Sequence, residues 1–259
     1  FWDVTDYLAT LDNFKDLNPA SLSNYAIGGR NYGLPLERGI SRDSTTYRYD
    51  WLQNLGLEDP TTVDELVTML KRFTTDDPDG NGVNDTYGTV TDPTSRIAVM
   101  LGAPNSWRYQ DGKMIKSELT DEYMQALDIS RELYAMGAIH PEFSIRQRAD
   151  YEGDFIQGKA GVYFNTSTDI TAFQSQMVQP EAVLHSSNVF KNAAGNTYTA
   201  AGRGNNGVLL FSKKAIPDKE TLDKVINIFD RLADQEMCNL LALGVEGKNY
   251  EVVDGVAHM

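Results

Sequence analysis

Between Thr62 and Val90 the chain runs through a capping box, an apolar helical stripe, an oxygen-rich turn and a short apolar strand. That succession commits it to alternating helix and strand. Thr62-Val63-Asp64-Glu65 supplies the box: the N-cap hydroxyl and the carboxylate three residues on satisfy backbone N–H groups that a first helical turn leaves free. Val63, Leu66, Val67, Leu70 and Phe73 then recur at helical spacing. A second helix is expected from about Thr120 to Met136, stopped by Gly137. A third opens near Pro217-Asp218 and carries Leu222, Val225, Ile226, Phe229 and Leu232 on one face. Strands are expected over Asn31 to Leu36, Tyr87 to Val90, Ala160 to Phe164 and Gly207 to Ser212, with an irregular polar connection from Asn188 to Asn206. Strands alternating with helices over 259 residues read as α/β.

The turn after the capped helix carries its own chemistry. From Asp77 to Gly88, oxygen-bearing side chains stand at alternate positions, Asp77, Asp79, Asn81 and Asp85, and the Val83 carbonyl falls between the last two. This alternation, with glycines that let the chain curl, gathers hard oxygen ligands around one cation. It matches the first nine positions of an EF-hand calcium loop, with Gly82 at the sixth. The twelfth position is Gly88, where an EF-hand carries a bidentate Glu. The expectation is therefore a structural calcium loop set between a helix and a strand, with water or Thr86 completing the shell. A solvated Asp/Asn/Gly turn is the alternative.

A formal charge of -14 argues against capture of nucleic acid or anionic membranes by broad electrostatic attraction. No apolar run approaches membrane-spanning length. Cys238 is the only cysteine, which excludes an intrachain disulfide. The opening Phe1-Trp2-Asp3 reads as an excised or mature segment that would have lost any targeting sequence.

Enzyme signatures mostly fail. Gly202, Gly204 and Gly207 satisfy a G-x-G-x-x-G pattern, but they precede an apolar strand, whereas a dinucleotide loop follows one. No Walker lysine and no G-x-S-x-G elbow occurs, and His140, His185 and His258 lack metal-ligand spacing. With 37 acidic residues some carboxylate pair could always be nominated as a glycosidase dyad, so such a pair carries no information. Aromatic and polar residues near strand ends are more suggestive. Trp107 and Tyr109 flank a loop with Gly and Pro, and Tyr163, Phe164 and Asn165 end an apolar strand. A pocket of aromatic faces and amide or carboxylate groups suits a neutral or partly charged carbohydrate; core filling is the alternative for each ring.

Several segments then fall in one order. Tyr32-Gly-Leu-Pro35 comes first, followed by Tyr47-Arg-Tyr-Asp-Trp51-Leu-Gln-Asn-Leu-Gly56 and Pro60-Thr-Thr-Val-Asp-Glu-Leu66. Gly137-Ala-Ile-His-Pro-Glu-Phe143 and Phe155-Ile-Gln-Gly-Lys-Ala-Gly-Val-Tyr163 follow. This order resembles the extracellular solute-binding proteins of bacterial ABC importers, the large family that includes maltose-, oligosaccharide- and alginate-binding proteins. The loop from Asp77 to Tyr87 is similar to the calcium loop of the members close to the alginate binders.

The resemblance implies an α/β, two-lobed periplasmic-binding-protein-like fold, with the second lobe nearly complete and the first partial. On that mapping 1–39 and 205–259 give the partial first lobe, 44–203 the second, and 37–43 and 201–207 the hinge crossings. It implies a binding component without catalysis that captures a carbohydrate, an oligosaccharide or a uronate, by hinge closure. Its partners would be the sugar and membrane permease subunits, and its place the cell surface, as a lipoprotein, or the periplasm. A carbohydrate-active hydrolase or lyase with paired carboxylates is the competing class. Candidate contacts are Glu37 and Arg38 at the first crossing, Arg203, Asn205 and Asn206 at the return, and Asp92, Ser95, Arg96, Trp107, Tyr163 and Asn165 in the second lobe. The charged groups at the crossings face either the cleft or a hinge salt bridge. Val63, Leu66, Leu70, Phe73, Leu127, Leu133 and Val162 are expected to share one core. The partial lobe is expected to expose a sheet edge and apolar surface along Leu222, Val225 and Phe229, favouring self-association and weak or absent sugar binding.

Overall fold

The computed structural model describes residues 1–258, which divide into two compact units, residues 1–40 with 202–258 and residues 41–201. In residues 1–40 lie α1 (Thr5–Leu8), α2 (Pro19–Ser23) and β1 (Gly33–Glu37). The second unit begins with β2 (Asp43–Arg48), α3 (Tyr49–Asn54), α4 (Val63–Thr75), β3 (Tyr87–Thr89) and α5 (Thr94–Leu101). It continues through β4 (Trp107–Gln110), β5 (Lys113–Lys116), α6 (Asp121–Ala135) and α7 (Arg148–Ile156). It ends with β6 (Ala160–Thr166), α8 (Ile170–Gln176) and β7 (Leu184–Ser187). The chain closes with β8 (Asn205–Leu210), α9 (Lys219–Leu232), α10 (Gln235–Leu243), β9 (Glu251–Val253) and β10 (Val256–His258).

The unit of residues 41–201 is built on a four-stranded sheet in the order β3-β6-β2-β7. β3 and β6 are parallel, and β2 pairs antiparallel with β6 on one side (Thr45 opposite Phe164) and β7 on the other (Thr45 opposite Ser187). Both faces are covered. Val162 and Phe164 enter a core with Leu66, Leu70 and Phe73 of α4, Ile97 of α5 and Leu133 of α6. Tyr163 between them points the other way, into a core with Phe155 of α7 and Phe173 of α8. Burying each such leucine or phenylalanine contributes about 1.5–3 kcal/mol.

Helix α4 starts where its sequence says: the Thr62 hydroxyl accepts from Glu65 N–H, and the Glu65 carboxylate accepts from Thr62 N–H. Phe73 sits edge-on to Trp51, ring centroids 5.4 Å apart. The Arg48 guanidinium lies 4.7 Å over Trp51 and donates to the Asp50 carboxylate at 2.6 and 2.9 Å, so the buried cation of β2 is paired and stacked. Asp154 of α7 is also buried. Burial pushes its carboxyl up, but ion pairs with Arg146 and Lys159 outweigh that and hold it below the ordinary carboxylate range.

The other unit has a smaller frame. β1 and β8 form a two-stranded antiparallel sheet with Leu34 opposite Leu209, and Val4, Leu8, Phe14, Leu34, Phe211, Leu222 and Ile226 make its core.

Two core expectations need correction. Leu127 is 44% exposed, because α6 turns Ala126, Ser130 and Leu133 inward and Leu127 falls on the other side of that stripe. Leu222 is fully buried, and Val225 and Phe229 pack against the same core, since α9 lies over the β1–β8 sheet and the segment from Val4 to Phe14. The apolar residues that α9 does expose are Ile228 and Leu232.

These placements predict opposite outcomes for two leucines of α6. Leu133→Ala is expected to cost about 2–5 kcal/mol in urea denaturation, whereas Leu127→Ala should change stability by less than about 0.5 kcal/mol. Comparable losses at both would show the helix register to be wrong.

Candidate functional site

The loop after α4 is held by its own oxygens. Asp77 accepts from the backbone N–H of Asn81 (3.0 Å) and of Gly82 (2.8 Å), and its φ of 47° turns the chain back on itself. The Asn81 amide donates to Asp79 (3.1 Å) and Asp85 (3.2 Å), while its oxygen accepts from Val83 N–H (2.7 Å). Asp77, Asp79, Asn81 and Asp85 are thus drawn together as the alternation predicts. The Asp79 carboxyl titrates above the ordinary range, through desolvation first, then its contact with Asp77 and the nearby charge of Asp85. Among the described residues no three or more His, Cys, Asp or Glu side chains form a ready metal centre. The Asn81 amide nitrogen sits between the Asp79 and Asp85 carboxylates, while its oxygen is held by Val83 N–H.

Two members of the loop are spoken for by the fold. The Thr86 hydroxyl is buried and donates to the Phe73 carbonyl (2.6 Å), so it is not free to complete a metal shell as expected. Gly88 lies on β3 against α4, where a Cβ would come within 2.4 Å of the Leu70 carbonyl oxygen. The twelfth position therefore has no room for a glutamate, which explains the departure from the EF-hand pattern.

A polar cluster lies at one end of the four-stranded sheet. Asp43, at the start of β2, pairs with Arg96 of α5, and Arg96 also donates to the Asn165 carbonyl (3.4 Å). Arg96, Asp43, Thr45, Asn188 and Tyr198 line a small depression, and the buried Thr45 hydroxyl has no partner. Asn165 is buried; its side-chain oxygen accepts from the Thr46 hydroxyl (2.9 Å) and its amide nitrogen is unpaired. Asp92 and Ser95 are exposed, and Asp92 accepts from Thr94 N–H (2.9 Å) at the start of α5.

Tyr163 is placed differently from expectation. It is 4% exposed, and its ring packs among Tyr151, Phe155 and Phe173. Burial, followed by the Glu152 carboxylate to which its hydroxyl donates at 3.1 Å, raises its pKa. A central strand covered on both faces leaves no exit for that side chain, so in this structure it fills the core and presents nothing to a ligand.

In the other unit residues 37–40 and 202–205, expected as crossings, run side by side. Beyond the β1–β8 pairing, Arg38 N–H donates to the Gly204 carbonyl (3.0 Å) and Gly202 N–H to the Ile40 carbonyl (2.6 Å). Gly204 has φ 77°, and its missing Cβ makes room for the Ser21 hydroxyl. Glu37, Arg38, Arg203 and Asn206 are exposed, and the half-buried Asn205 has an unpaired amide nitrogen. Glu37 and Arg38 border two hollows, one polar with Asn18 and Ser21, and one apolar with Phe14, Leu36 and Leu209.

Trp107 stands apart from these clusters, half-exposed on a hairpin made by β4 and β5. The hairpin is an element that the sequence reading passed over as a loop. Its signal was present: Asp111-Gly112 at the turn, both with positive φ, is the Asp-Gly pair that type I′ turns require.

The chain is similar over nearly its whole length to bacterial proteins of solute uptake, and its fold to extracellular solute-binding proteins. It is 32% identical over 271 residues to lipoprotein LipO of Bacillus subtilis (strain 168), a match spanning 99% of this chain and 53% of that one. It is 30% identical to the polygalacturonan/rhamnogalacturonan-binding protein YtcQ of the same organism, over 96% of this chain and 51% of that one. Among solved structures, the calcium-free form of alginate-binding protein AlgQ2 superposes with a TM-score of 0.68 at 21% identity, over 100% of this chain and 56% of that one. The chain spans about half the length of the curated relatives it matches. No family model matches it.

The Asp43–Arg96 pair should behave as one unit. Arg96→Ala and Asp43→Ala are each expected to cost about 1 kcal/mol, and the double variant clearly less than their sum. Strict additivity in a denaturation cycle would show that the two side chains do not interact.

Proposed function

We propose that this chain is the ligand-capturing part of an ABC importer's solute-binding component, that its solute is a carbohydrate, and that it catalyses nothing. The observation that carries this reading is the match over nearly the whole chain to a lipoprotein and to a protein named for binding polygalacturonan and rhamnogalacturonan. Within the reading, segments 37–43 and 201–207 form the hinge, and the solute is held as the lobes close on it. Asp92, Ser95, Arg96 and Asn165 contribute from the second lobe, with Glu37, Arg38, Arg203, Asn205 and Asn206 at the crossings. The protein works at the cell surface as a lipoprotein or in the periplasm, and hands its solute to membrane permease subunits. A turnover assay over a panel of neutral and uronate oligosaccharides, run beside a thermal-shift screen, separates binder from hydrolase or lyase. A rise in melting temperature without product is expected. Product release would transfer the chain to the enzyme class.

Calcium belongs to the same reading as a structural ion. Asp77, Asp79, Asn81, the Val83 carbonyl and Asp85 would hold it, with water completing the shell in place of Thr86 and Gly88. The fit rests on geometry: one tight turn draws the oxygens of Asp77, Asp79, Asn81 and Asp85 together. The ion would pin the passage from α4 to β3, and it takes no part in sugar capture. Because the ligands must be ionised, affinity should fall as the pH drops through the raised Asp79 value, at a higher pH than for an ordinary aspartate. Calcium titration of chelator-treated protein should show one site, lost in Asp79→Asn. Absence of heat, together with an unchanged melting temperature, would remove the ion from the account.

A further inference from the structure

The depression at the end of the four-stranded sheet lies wholly within residues 41–201. Strand β2 supplies Asp43 and Thr45, which alternation places on one face together with Tyr47. Tyr47 packs in the core with Ile97, so this is the face that α5 covers. Arg96 and Val99 of α5 and, from the chain after β7, Asn188 and Tyr198 complete the wall.

The Thr45 side chain is 1% exposed, yet its hydroxyl has no protein partner. An unpaired buried hydroxyl destabilises a fold and calls for a reason. The enclosed part of the depression measures about 20 Å³, room for one hydroxyl-sized group and too little for a sugar ring. A ring would have to lie over it, against the aromatic part of the wall. Tyr198 is that part, 43% exposed. Its ring rests against Gly102, where a Cβ would stand 3.2 Å from it, and Gly102 caps α5 with φ 115°. The chain that carries Tyr198 is pinned on both strands of contact. The Thr199 and Ser41 hydroxyls are hydrogen-bonded at 2.8 Å, and the Asn105 amide donates to the Ala201 carbonyl at 2.8 Å. An aromatic face is thus held beforehand beside a hollow that fits one hydroxyl.

Charge decides which sugar suits it. Among the lining residues Arg96 is the one cation and Asp43 the one anion, and the two are paired. Arg108 also comes to Gly102, donating to its carbonyl at 2.6 Å, but it does not line the depression. A uronate carboxylate would meet an arginine already neutralised and the like charge of Asp43, in a chain whose formal charge is -14. A pair of hydroxyls meets no such penalty, because Asp43 accepts from one and Arg96 donates to the other.

We propose that Thr45, Asn188 and Tyr198, with the Asp43–Arg96 pair, form a subsite for one neutral sugar unit and exclude a uronate from it. The sugar stacks on Tyr198 and inserts one hydroxyl toward Thr45. The proposal rests on the carbohydrate reading and narrows its ligand class.

Isothermal titration with trisaccharides in matched pairs tests it: galactotriose and trigalacturonate, mannotriose and trimannuronate, cellotriose and triglucuronate. At least one neutral trimer should bind about tenfold or more tightly than its uronate counterpart. Thr45→Val should weaken that binding about threefold to tenfold, while the melting temperature of the free protein stays level or rises, because valine removes an unpaired hydroxyl at nearly constant shape. Tyr198→Ala should weaken binding about tenfold, and Tyr198→Phe should retain it. Asp43→Asn should narrow the gap within the pair by admitting the uronate. Unchanged affinity for the neutral trimer in both Thr45→Val and Tyr198→Ala would overturn the subsite while leaving the carbohydrate function standing. A uronate trimer that binds as tightly as its neutral counterpart, or more tightly, would overturn the charge selection and the proposal with it. Absence of binding by every trimer would overturn subsite and function together.

Discussion

Strand β2 is the constraint on which the unit of residues 41–201 depends. It is the only strand of the four with a partner on each side made of later chain, β6 and β7, so the sheet cannot close until both have returned to it. Its sequence, Asp-Ser-Thr-Thr-Tyr-Arg, has little apolar content, yet Ser44 to Arg48 are all buried. Threonine pays for this burial through β-branched shape and ladder pairing, while Arg48 is neutralised by Asp50 and roofed by Trp51. Asp43 at one end fixes Arg96 of α5, and Tyr47 near the other donates to Asp59 at 2.7 Å. One polar strand thereby sets the positions of α3, α5 and the loop before α4.

The same strand shows where sequence reading stops. α4, α6 and α9 were legible because each pairs a side-chain cap, Thr62, Thr120 or Asp218, with a helical apolar period. β1, β3, β6 and β8 were legible to within a few residues, because their apolar runs end at turn residues. β2 was not singled out, since a strand buried on both faces need show no alternation and Asp43 to Arg48 carry little apolar content. Leu127 went astray for a related reason. A helical period chooses a stripe, but the small residues Ala126 and Ser130 define the inward side of α6, and small residues weigh little in a hydrophobic count.

The loop and the candidate contacts divide along a physical line. The approach of Asp77, Asp79, Asn81 and Asp85 is local, set by their own alternation and by Gly82, so the sequence carried it. Thr86, offered beside water to complete the shell, is instead held by the Phe73 carbonyl of α4, thirteen residues away in sequence. Tyr163 and Asn165 were placed at a strand's end from the chain alone, without the covering helices α7 and α8 that make a tyrosine there a core residue. Position along a strand tells which end of the sheet a residue occupies; it does not tell whether the layer above is open.

Negative charge gives the loop a particular energetic character. Three carboxylates within one tight turn repel one another, and the turn offers them backbone N–H groups of Asn81 and Gly82 and a single side-chain amide. Hydrogen bonds of this kind, each worth about 1–2 kcal/mol net, hold the carboxylates in place without removing their repulsion. Burial first, then the contact with Asp77 and the charge of Asp85, raise the Asp79 carboxyl, so a part of that shift is repulsion. A proton relieves it in acid and a divalent cation relieves it near neutrality, so the two compete for the same oxygens. The loop is anchored at its ends by neutral contacts: the Thr86 hydroxyl on Phe73, the Pro78 carbonyl on the Asn54 amide, and Gly88 lying directly on the backbone of Leu70. Those anchors keep β3 in register with β6 whatever the loop binds, which separates the integrity of the sheet from the occupancy of the loop.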